Sequence, residues 1–153
     1  MKRDKFFWEE VRSEIQKELN NIDKLIFELN EEEKRGSRRA KGSILHDFYN
    51  SCERIFRRIV AAINGGFPME TSWHKELLYR MTIPIKNLRP AVISEELAAE
   101  LNEYLSFRHL FRNIYGFELR SEQLDRLVDR FEKVSKRFKK EILIFLKKIE
   151  KGS

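Results

Sequence analysis

The residues best suited to chemistry in this sequence form one run, Phe107-Arg108-His109-Leu110-Phe111-Arg112-Asn113-Ile114-Tyr115-Gly116-Phe117. Two arginines, a histidine, an asparagine and a tyrosine fall within eight residues, with Leu110, Phe111 and Ile114 between them. Arginine carries a permanent charge on a planar fork of donors, which suits a phosphate. Histidine titrates near neutral pH and can move a proton. On a helix turning about 100° per residue, Arg108, Arg112 and Tyr115 form one stripe and His109 and Asn113 the adjacent one. Gly116 suits a left-handed C-cap. The polar cluster is therefore expected at a helix end, where a cleft is readily built.

The elements that must position this cluster read as helices. The chain has 153 residues with only six glycines and three prolines; 41% of residues are hydrophobic and 37% charged. That length fits one domain with one sizeable core, expected over residues 1–151, and the final Gly152-Ser153 read as a cloning remnant. The spacing of Ile15, Leu19, Ile22, Leu25, Ile26 and Leu29 predicts a first helix from about Asp4, its N-cap, to Glu33. Ile44, Leu45, Phe48, Cys52, Ile55, Phe56, Ile59 and Ile63 predict a second from about Gly42 to Ile63, stopped by Asn64-Gly65-Gly66-Phe67-Pro68. Thr71 or Ser72 caps a short helix carrying Trp73, Leu77, Leu78 and Met81. Residues 82–93, with Pro84 and Pro90, read as an extended connector. Ser94 caps a fourth helix with Glu95 and Glu96 in its first turn. Ser121 caps the last, whose stripe runs from Leu124 to Ile149. The expected fold is all-α: an antiparallel bundle of four long helices and one short helix. An apolar excess on the second and fourth helices leaves a face for a partner, which points to a homodimer.

Charge and cysteine content narrow the function classes. The net charge of +6 and sequence pI of about 9.5 favour a polyanionic partner such as nucleic acid without establishing one. Cys52 is the only cysteine, so an intramolecular disulfide and a cysteine metal cluster are excluded; among Phe48, Ile55 and Phe56 it reads as a buried thiol. His46, His74 and His109 show no metal-ligand spacing. His46 reads as a helix-contact histidine, because neighbouring Asp47 points about 100° away. His74 reads as a surface residue. The run Lys34-Arg35-Gly36-Ser37-Arg38-Arg39-Ala40-Lys41 holds five basic residues and no acidic one. It is either a phosphate-contacting loop, with Arg38 and Arg39 on RNA, or a solvated turn neutralised by Glu31, Glu32 and Glu33. No stretch is long and apolar enough for a membrane span or a signal peptide, so a cytoplasmic protein is expected.

With these motifs in place, the chain resembles the HepT-like branch of the HEPN ribonuclease toxins. The resemblance rests on Leu45-His46-Asp47-Phe48-Tyr49, Glu53-Arg54-Ile55-Phe56, Arg89-Pro90-Ala91-Val92-Ile93-Ser94, and above all on the run from Phe107 to Leu119. The family signature is an arginine, four residues, a histidine, one residue and a tyrosine. Arg108 falls on the arginine and Tyr115 on the tyrosine. His109 falls on the polar position that often follows the arginine. Asn113 stands where the catalytic histidine belongs. The resemblance implies an all-α dimer that brings two motifs to one cleft and cleaves RNA, transfer RNA among its targets, without a metal or other cofactor. It also implies a minimal nucleotidyltransferase antitoxin that places AMP on the motif tyrosine, here Tyr115.

Metal-free RNA cleavage turns the 2′-hydroxyl onto its own phosphate. A proton must be carried and charge on the phosphoryl oxygens must be held. Arg108 and Arg112 suit the second task. Asn113 donates a hydrogen bond but carries no proton, and losing acid–base catalysis costs about 10²–10⁴ in rate. The expectation is a toxin-family nuclease weakened at Asn113, with His109 as a possible substitute. The alternatives are a non-catalytic protein that binds RNA or a nucleotidyltransferase, and a polar helix end at a dimer contact.

Overall fold

The computed structural model describes residues 5–65, 72–113 and 121–152. Five helices follow in order: α1 (Lys5–Arg35), α2 (Arg38–Asn64), α3 (Trp73–Arg80), α4 (Glu95–Asn113) and α5 (Ser121–Gly152). They form the all-α bundle of four long helices and one short helix that the periodicity predicts. The expected caps Asp4, Thr71 and Gly116 lie outside the described residues.

α1 and α2 pair along their length because each carries one apolar stripe. Val11, Ile15, Leu19, Ile22, Leu25 and Leu29 recur every three or four residues on α1 and are all buried. The turn between them takes two residues. Gly36 adopts φ +72°, where glycine escapes the Cβ penalty, and its N–H reaches Glu32 O at 2.9 Å. Ser37 then caps α2, its Oγ accepting from Ala40 N–H at 3.2 Å. α2 therefore starts at Arg38, four residues before the expected Gly42. The basic run is not a loop: Arg38 and Arg39 occupy the first turn of a helix and are exposed. Lys34, Arg35 and Lys41 meet Glu31, Glu32 and Glu33 respectively, the neutralisation anticipated from the acidic run.

Aromatic rings fill the centre. Phe48 packs edge-on to Tyr104 at 5.3 Å and Phe131 at 4.9 Å, and Phe56 meets Phe138 at 5.7 Å. Such edge-to-face pairs are the favoured arrangement of ring quadrupoles. Tyr104 Oη donates to Leu127 O at 2.7 Å, so the one polar atom of that ring is satisfied between α4 and α5. Cys52 is fully buried, and burial pushes its thiol well above the usual range.

Residues 82–93 differ from the extended connector expected. Ile85 and Arg89 bridge one another at 2.8 and 3.0 Å, with Asn87 in the left-handed region at φ +65°. The buried Arg89 gathers the loop, donating to the carbonyls of Arg80, Ile83 and Pro90 at 3.0–3.1 Å. Two prolines masked this; the loop is ordered by a side chain, not by backbone propensity. Ser94 then opens α4. Its Oγ accepts from Leu97 N–H at 3.1 Å and donates to Glu141 of α5, whose other oxygen takes the Ser94 N–H at 2.6 Å. Ser94→Ala removes both the cap and one half of this clamp. It is expected to cost about 1–2 kcal/mol in chemical denaturation; a loss below a few tenths would show that the clamp carries no weight.

Candidate functional site

One stripe of α2 builds the floor of the site. His46, Asn50, Glu53 and Arg57 follow at spacings of four, three and four, which places them in a row on one face. Arg108 of α4 reaches this row from above. Its side chain is 3% exposed, and that of its partner Glu53 is 8% exposed. The guanidinium meets the carboxylate fork to fork, Nη1 to Oε1 at 3.2 Å and Nη2 to Oε2 at 3.3 Å. Nη1 also donates to Asn50 Oδ1 at 2.8 Å. Beneath the guanidinium lies the Tyr49 ring, 4.8 Å from its carbon. Burial, then the Glu53 charge, push the Tyr49 hydroxyl well above its ordinary range.

His74 of α3 completes the cluster. Its Nδ1 is 2.8 Å from Glu53 Oε2 and 3.0 Å from Arg108 Nη2. One nitrogen cannot donate to the carboxylate and accept from the guanidinium at once. The Nδ1–H tautomer favours Glu53; the Nε2–H tautomer favours Arg108. The imidazole therefore reports on the pairing of Arg108. With Nδ1–H held by Glu53, Nε2 is the nitrogen that can exchange a proton. The side chain is one-third exposed, so that exchange has access to solvent. At the other end of the row, Asn50 Nδ2 is 3.3 Å from His46 Nδ1, and the His46 ring contacts Phe111 at 5.5 Å.

The expected site residues are thus only partly brought together. Arg108 is at the centre. His109, on the adjacent stripe, is exposed and is not among the contacts of the Arg108 guanidinium. Arg112 and Asn113 lie in the last turn of α4, but their side chains, and all of Tyr115, are outside the described residues. Arg38 and Arg39 lie one turn before Gly42, where a Cβ would stand 2.9 Å from the Phe111 ring. The start of α2 and the end of α4 therefore meet, at the end of the bundle that carries Asn113. His74 is not the surface residue expected, because Glu53 and Arg108 hold it. Glu53 and Asn50 were not singled out as site residues. Their helical register with His46 was the only signal for them, and register alone does not say what faces the stripe. Among the described residues, no cluster of three or more histidine, cysteine or acidic side chains could hold a metal ion, and no helix is long and apolar enough to cross a membrane.

The family model described as HepT-like protein matches residues 40–149. The chain belongs to the HepT-like HEPN family. The match runs from the first turn of α2 into α5 and includes every residue of the Arg108 cluster, while α1 lies outside it. No curated protein and no solved structure matches the chain. In this HepT-like chain the motif arginine is a buried, paired charge. Removing one partner of such a pair strands the other, at a cost of about 3–5 kcal/mol, whereas replacing both with apolar groups is often neutral. Glu53→Ala is expected to lower unfolding free energy by that amount, and the double variant Glu53→Met with Arg108→Met to recover most of it. A Glu53→Ala loss under about 1 kcal/mol in urea melts would show that the two charges are not coupled.

Proposed function

We propose that this HepT-like protein is the toxin of a toxin–antitoxin pair, a metal-independent endoribonuclease acting on RNA, transfer RNA foremost, and weakened by Asn113. What carries the reading is the meeting of an arginine and a histidine at 3.0 Å over a shared carboxylate, within a family whose motif centres on that arginine. Metal-free phosphodiester transfer needs these two side-chain types: a fixed fork of donors for the phosphoryl oxygens and a proton carrier.

The step is an attack of the ribose 2′-oxygen on phosphorus, with departure of the 5′-oxygen and formation of a cyclic phosphate. The 2′-hydroxyl proton passes to a base, and the leaving 5′-oxygen takes up a proton from water. In this chain His74 Nε2 is the base at hand, since Asn113 carries no proton. Glu53 stabilises the imidazolium through Nδ1–H. Arg108 grips the phosphate by trading one arm of Glu53 for a phosphoryl oxygen, an exchange of one anion for another. That trade frees negative charge on Glu53 at the moment His74 takes a proton. Arg112, Arg38 and Arg39 extend the positive surface along the RNA, His109 adds a donor at the rim, and a homodimer joins two such sites.

Control comes from a nucleotidyltransferase antitoxin that places AMP on Tyr115, putting negative charge and bulk three residues after Arg112 in the motif. Tyr49 and Tyr104 are buried and cannot accept it, whereas Tyr79 is exposed and is the competing acceptor. A second reading has its own support: Arg108 is almost wholly enclosed and neutralised by Glu53. In that reading the arginine staples α4 to α2, and the chain binds RNA or the nucleotidyltransferase without cutting.

Two measurements separate these readings. Asn113→His is expected to raise metal-free cleavage of transfer RNA by about 10²–10⁴, and His74→Gln to abolish the residual activity of the parent chain. No cleavage by Asn113→His, with RNA still bound, supports the non-catalytic reading. Incubation with the cognate nucleotidyltransferase and ATP is expected to add AMP to the parent and to Tyr79→Phe but not to Tyr115→Phe; the reverse pattern refutes the placement.

A further inference from the structure

Beyond the Arg108 cluster, a groove of about 630 Å³ lies between α1 and α2, with Trp73 of α3 in its lining. Its apolar lining is the buried Ile15 and Ile55 and the exposed Ala61. Its walls carry four cations, Lys17, Arg54, Arg57 and Arg58, against two carboxylates, Glu14 and Glu18. The carboxylates are engaged. Glu18 takes Arg54 at 2.9 and 3.1 Å, and Glu14 takes Arg58. Burial raises the Glu18 carboxyl, but the Arg54 hydrogen bond and charge outweigh it and hold the group below its usual range. The remaining two cations, Lys17 and Arg57, meet no carboxylate among the described residues. Arg57 instead lies over the Trp73 indole, 5.5 Å from its centre.

This groove adjoins the site already described, through the Trp73–His74 ring contact. Arg57 is the last member of the α2 stripe that runs through Asn50 and Glu53. Trp73 precedes His74, and the two rings meet at a tilt, with centres 3.9 Å apart and planes 33° from parallel. A chain of phosphates leaving Arg108 therefore passes His74 and arrives at an indole, a guanidinium with no carboxylate partner among the described residues, and an apolar lining. That combination takes a nucleotide: a flat base against the indole and the apolar lining, and its phosphate at a cation. An exposed cation–π contact is weaker than base–aromatic stacking. An incoming base therefore displaces Arg57 from the indole, and the freed guanidinium turns to the adjoining phosphate.

We propose that the α1–α2 groove is a nucleotide subsite for single-stranded RNA, holding the residue next to the reacting phosphodiester through Trp73 and Arg57. It rests on the ribonuclease reading for its substrate, but it makes a separate physical demand. Half of its wall comes from α1, outside the stretch matched by the family model.

The test uses the full chain with Trp8→Phe, which leaves Trp73 as the only tryptophan. The probe is a 2′-O-methyl hexaadenylate, which binds but cannot be cleaved. Saturable quenching of Trp73 emission is expected, with affinity falling about 10-fold for Arg57→Ala, an exposed position that leaves the fold intact, and more for Trp73→Ala. Arg57→Ala binding with unchanged affinity, or binding that leaves Trp73 emission unchanged, overturns the proposal and favours a protein occupant. Quenching by the probe in a chain that never cleaves RNA, even as Asn113→His, keeps the subsite and removes the nuclease reading. Full cleavage without quenching does the opposite.

Discussion

A charge pair sealed from water, Arg108 with Glu53, is the constraint on which the rest of the molecule depends. Each ion alone would be intolerable in that position; together, with Asn50 and His74 supplying further hydrogen bonds, they are satisfied. The pair ties α4 to α2, and His74 ties α3 to both. The helices are then free to be ordinary amphipathic elements, because the specific geometry is held at one polar point inside an otherwise apolar contact.

The same arrangement explains how a structural contact and a chemical one can be the same contact. A guanidinium enclosed by a carboxylate is not available as it stands. It becomes available only to another anion that takes the place of the first. The resting pair therefore discriminates by charge alone: neutral and cationic molecules gain nothing by entering. The imidazole between the two charges changes partner with its tautomer, so the nitrogen that carries its hydrogen and the group it pairs with are set together.

Much of this was legible in the residues alone. The helical spacing of Ile15 to Leu29 and of Leu124 to Ile149 marks α1 and α5 without help, and the run around Arg108 stands out by composition. Less legible were the partners. Asn50, Glu53 and His74 come from 58, 55 and 34 residues away, and no local pattern says which stripe of α2 faces α4. Arg38 and Arg39 look like a loop because a serine cap leaves no trace in hydrophobic periodicity. The folding of residues 82–93 around Arg89 was hidden for a related reason: one side chain collecting three carbonyls has no spacing rule.

Gly42 carries a last consequence. The ring of Phe111 leans on bare backbone there, so the tip of α4 is seated by a missing methyl group more than sixty positions earlier in the chain. Any side chain at that point would act as a wedge against the Phe111 ring and force it to shift. The seating of the α4 end is in this sense recorded as an empty space, at a residue that carries no side chain of its own.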